Sequence, residues 1–166
     1  AGFGFTLARI TVRSSRTRFA GRLNSGVRCH RTAPRPMDEK QRKICGHLRE
    51  LQSSEAADWL MERYPISNVQ WGEALLVIPH RSWEKRDQIR LAKYYFSKIP
   101  FASARGYEAF ASFMSVTSLI SVIRDFVPPN AEDRRLIEYH LAPVLRRKAE
   151  SDKDMAAVRS FLDALA

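Results

Sequence analysis

From residue 38 onward, apolar positions recur at helical intervals between start and stop signals. Over 38–52, Ile44, Leu48 and Leu51 share one face, as residues three and four apart do on an α-helix. Ser54 caps a second helix over 55–63, with Trp59, Leu60 and Tyr64 as its apolar contacts and Pro65 beyond it. Ser67 and Gln70 have capping-box spacing and open a third segment that ends before Pro79. Within it, residues 74–78 are a continuous apolar run, which suits a buried helix or one short strand equally.

Ser82 opens a fourth helix that turns Ile89, Ala92, Tyr95, Phe96 and Ile99 inward and stops at Pro100. Residues 104–127 predict one long helix with two apolar stripes. Phe110, Phe113, Thr117, Ile120 and Val127 form the first, and Val116, Leu119, Ile123 and Phe126 the second. A helix apolar on two faces belongs at the centre of a fold, and its regularly spaced serines read as backbone-bonded filler. Pro128-Pro129 breaks the chain, and Asn130 with Asp133 caps a sixth helix to residue 149, which Pro143 should kink or split. Ser151 and Asp154 cap a terminal helix with Met155, Val158, Phe161, Leu162 and Leu165 inward. The pattern predicts an all-α fold, a compact bundle or helix-hairpin array of five to seven helices, with at most one short strand near 74–78. No repeat of fixed period points to a solenoid.

Charge divides the chain at Met37. The net charge is +10, yet the first 36 residues hold eight arginines and no Lys, Asp or Glu, which leaves +2 for the rest. The expected organisation is a basic leader over 1–36, with little packed structure, and a single helical domain over 37–166. The leader has three readings. It is Arg-rich, Ser-containing and acid-free, as a mitochondrial transit peptide is. It is also a basic arm suited to a phosphate backbone, or an extension upstream of the natural start. The two cysteines, Cys29 and Cys45, read as free thiols in a reducing compartment. The expected location is therefore the cytoplasm, or the mitochondrial matrix if 1–36 is a transit peptide. The longest uncharged run, 109–123, has 15 residues and five Ser or Thr, whereas a spanning helix needs about 20 apolar residues.

Arg135 and His140 are separated by four residues, with Arg134 as the alternative arginine. Late in an all-α chain, this pattern resembles the HEPN family of metal-independent ribonucleases. The resemblance implies acid/base chemistry at His140 and stabilisation of phosphate charge by Arg134 or Arg135. Imidazole titrates near neutral pH and guanidinium offers a planar fork to phosphate. The family usually has a polar residue after the arginine, and Leu136 follows Arg135 here. Arg42 and His47 have the same spacing, and a surface arginine paired with Glu138 is the structural alternative.

Arg86, Arg90 and Lys93 lie at i, i+4 and i+7, with Arg81 and Lys85 nearby. This is a stripe suited to phosphates or an acidic partner, diluted by Glu84 and Asp87. Arg146, Arg147 and Lys148 form a second cluster, which a helix C-terminus favours on its own. Cys29, His30, Cys45 and His47 lack the spacing of a zinc site, so no metal is expected. No phosphate loop or nucleophile elbow occurs, and no cofactor is expected. Trp59, Trp71 and Trp83 read as core or inter-helix contacts.

The leading expectation is a non-catalytic helical domain, adaptor- or immunity-like, that binds another protein. The alternatives are the HEPN-like ribonuclease and a module that binds RNA or DNA through the leader and the basic face of 81–93.

Overall fold

The computed structural model describes residues 37–165. The leader, with Cys29 and His30, lies outside the described residues. Among those described, all regular structure is helical, in eight α-helices rather than five to seven. The extra count has identifiable physical causes.

Helix α1 (Glu39–Glu50) begins where the Asp38 carboxylate accepts from the Gln41 amide and Gln41 returns a bond to the Asp38 amide. α2 (Ser53–Arg63) starts two residues earlier than predicted, because the Glu55 side chain accepts from the Gln52 amide. Ser54 is therefore inside the helix. Ser53 instead accepts from the Glu84 amide at 3.0 Å and links α2 to the next long helix.

The third segment is three short pieces: a 3-10 turn Val69–Glu73, α3 (Ala74–Val77) and a second 3-10 turn Ile78–His80. Asn68 caps it rather than Ser67, accepting from the Gln70 amide at 2.9 Å. The strand alternative is overturned. Ala74, Val77 and Ile78 are buried while Leu76 is exposed, the spacing of a helix and not the alternation of a strand. Trp83 is buried and donates its indole N–H to the Ile78 carbonyl at 2.9 Å. The chain is held at that point, so α4 (Lys85–Phe96) starts after Glu84 and not at Ser82.

The predicted long helix over 104–127 is two helices, α5 (Arg105–Ala111) and α6 (Val116–Arg124). Ser115 is extended, and its hydroxyl accepts from the Ser118 amide at 3.2 Å. Ser112 donates to the Ala109 carbonyl at 2.6 Å. Serine hydroxyls compete with the backbone for its own partners, and here they cap and close helices instead of filling space. α7 (Ala131–Lys148) runs unbroken through Pro143, with Asn130 accepting from the Asp133 amide at 2.8 Å. α8 (Asp152–Leu165) follows a short turn in which Ser151 accepts from the Asp154 amide at 3.1 Å. Val158, Phe161, Leu162 and Leu165 are buried as predicted, but Met155 is 46 % exposed.

α4 packs on α2 and α6, α5 on α7, and α8 on both α6 and α7. The core between them is rich in aromatic rings. Phe96 lies 4.7 Å from Phe110 and 5.8 Å from Phe101, and Phe101 lies 4.9 Å from Tyr107. Each such side chain, fully buried, contributes roughly 1.5–3 kcal/mol. Gly106 belongs to this packing, because a Cβ there would clash with the edge of the Phe101 ring. Trp71 stacks on Tyr95, whose hydroxyl reaches the Leu60 and Tyr64 carbonyls at 3.3 Å each and ties α4 to the end of α2. No helix of the described residues is long and apolar enough to cross a membrane.

Candidate functional site

The basic face of 81–93 is mostly engaged within the fold. Arg81 donates to the Leu48 carbonyl and, at 3.3 Å, to the Leu51 carbonyl. These are among the last acceptors of α1, which have no partner inside that helix. The same guanidinium lies 4.7 Å over the Trp83 ring. Burial pushes Arg81 below its ordinary range, and the nearby Asp87 opposes that shift. Asp87 is fully buried, and its carboxylate oxygens have no hydrogen-bond partner in the structure. It sits in the first turn of α4, 3.8 Å from Arg86 and 4.0 Å from Arg90. The helix N-terminus favours an anion there. Arg90 also pairs with Asp58 and Lys93 with Asp125 at 3.4 Å. Of the predicted face, only the exposed Lys85 makes neither an ion pair nor a side-chain hydrogen bond with a described residue.

Arg134, Arg135 and His140 all lie on α7, but helical rotation separates them. His140 is turned about 120° from Arg134 and about 140° from Arg135. No hydrogen bond or ion pair among the described residues joins either arginine to His140 or to Glu138. Arg135 is exposed, whereas Arg134 is half-buried with its Nε enclosed and unpartnered. His140 meets the edge of the neighbouring Tyr139 ring at 5.0 Å. Farther along α7, Arg147 pairs with Glu108 of α5 at 2.8 Å. On α1, the Cys45 thiol is buried, and burial pushes its pKa up. His47 is exposed and sits 5.0 Å from Trp59, so the two candidate ligands diverge.

The outer face of α7 is different. Ile137, Leu141, Val144 and Leu145 carry the helix into the core, yet Leu136 is 38 % and Tyr139 75 % exposed, and Pro143 is exposed beside them. These three lie at i, i+3 and i+7, one straight seam on a helix. Pro143 has no amide hydrogen, so the Tyr139 carbonyl loses its helical donor on this face. The seam ends in exposed Glu132 on one side and exposed Arg146 on the other, and neither has an ion-pair partner among the described residues. Beside Arg146, an open groove of about 310 Å³ runs to α8 and is lined by Met155, Val158, Arg159 and Leu162. The sequence hides the seam because its residues are interleaved with those of the buried stripe. The seven-residue spacings of Glu132, Tyr139 and Arg146, and of Leu136 and Pro143, were the available signal.

Comparison of the chain with family models, curated proteins and solved structures gives no match.

Proposed function

We propose that residues 37–166 form a helical domain of the cytoplasm that binds another protein, adaptor- or immunity-like in character, without catalysis. The observation that carries this reading is the seam on α7 that the other described residues leave uncovered. A tyrosine 75 % exposed, flanked by Leu136 and Pro143, supplies apolar area with few rotatable bonds. Such residues dominate recognition energy at protein interfaces. The ribonuclease reading gains less support, since its arginine and histidine point to different sides of one helix. The nucleic-acid reading through 81–93 gains less as well, since four of its five cations already face carboxylates or carbonyls.

The test is native co-purification of the full chain against its Tyr139→Glu variant, with circular dichroism to confirm that both are folded. The expected result is a stoichiometric protein partner retained by the wild type and lost by the variant. Equal recovery with both contradicts the reading, as does recovery of neither from a chain that sediments as a monomer.

A further inference from the structure

We propose that the occupant of the α7 seam is the same seam of a second copy, packed antiparallel. This rests on the reading that the α7 face docks a protein, and it names the partner.

The seam is self-complementary. Glu132, Leu136, Tyr139, Pro143 and Arg146 occupy successive positions spaced four, three, four and three, the heptad seam of two-helix packing. Tyr139 is its midpoint, with Glu132 seven residues before and Arg146 seven residues after. A twofold axis through Tyr139 therefore sets ring against ring and Glu132 against Arg146 of the partner subunit, and it brings Leu136 within one residue of Pro143 of the partner subunit. An isologous interface requires a patch that complements itself in this way. The apolar residues are central and the opposite charges terminal, as in an interface with a dry centre and a charged rim. Antiparallel packing also sets opposite ends of the two α7 dipoles together. A parallel arrangement would place Glu132 against Glu132 and Arg146 against Arg146, so the charges select the antiparallel one.

Sedimentation analysis of the full chain tests this with Glu132→Arg, Arg146→Glu and the double variant. The wild type is expected to dimerise. Each single reversal should raise the dissociation constant about tenfold, because a twofold interface repeats every change. The double variant should recover the wild-type constant, since it restores both pairs with the signs exchanged. A wild-type chain that stays monomeric into the high micromolar range overturns self-pairing. So does a dimer that the single reversals leave unchanged. In either case, Tyr139-dependent co-purification still decides whether the face docks a different protein, so the two proposals fail separately.

Discussion

Arg81 marks the difference between a basic residue and a basic site. In the sequence it stands beside Lys85, Arg86, Arg90 and Lys93 and counts toward one stripe. In the fold it closes the end of α1 through the Leu48 and Leu51 carbonyls and contributes positive field to the buried Asp87. No local pattern reports this, because the carbonyls lie 30 or more positions away in the chain. Replacing the guanidinium by an apolar chain of similar length unpairs buried acceptors and leaves a buried carboxylate less compensated. Arg81→Met is therefore expected to lower the unfolding free energy by about 2–4 kcal/mol, measured by urea denaturation. Lys85→Met, at an exposed position with no ion pair to a described residue, should change it by less than about 0.5 kcal/mol. Equal effects at both positions would remove the structural role given to Arg81.

At the scale of elements, two caps set by neighbours in sequence were legible, while those of α2 and of the third segment fall one or two residues from where the sequence put them. Asn130 with Asp133 and Ser151 with Asp154 form as their spacing predicts, each over three residues. Ser112, Ser115, Ser118 and Ser121 look alike in the sequence, and only one of them opens a helix. Ser115 does so where its backbone is extended, beside the buried Met114. Ser115→Ala is expected to cost about 1 kcal/mol as a lost N-cap. The exposed Ser121→Ala inside α6 should cost nothing measurable, or stabilise slightly through the higher helix propensity of alanine. Urea midpoints separate the two, and a costly Ser121→Ala with a neutral Ser115→Ala would restore the single long helix. The α7 seam was illegible for another reason. Leu136 and Tyr139 are interleaved with Ile137 and Leu141, and hydrophobicity alone cannot say which stripe the rest of the fold covers.

For the whole molecule, the aromatic core links stability to alkaline pH. Burial raises the phenols of Tyr95 and Tyr107 above the ordinary value of 10, Tyr107 to about 12. Above pH 10 the unfolded chain loses these protons while the native state keeps them. The native state then binds more protons, so stability falls as pH rises. Below pH 10 this contribution is complete. The urea midpoint should hold steady in mildly alkaline buffer and drop between pH 10 and 12, with a shallower drop in Tyr107→Phe. A midpoint that ignores this window would contradict the burial of both hydroxyls.

The charge at this scale also narrows where a partner can bind. From Met37 onward the net charge is only +2, and much of the basic face of 81–93 is neutralised within the fold. Besides the single positions Val69, Leu76 and Met155, what the described residues leave uncovered is the apolar seam on α7. Photo-crosslinking from position 139 of the full chain tests this claim most directly, with the exposed position 43 on α1 as control. A covalent polypeptide adduct is expected from position 139 and none from position 43. Adducts of equal yield at both positions, or none at position 139, would contradict it.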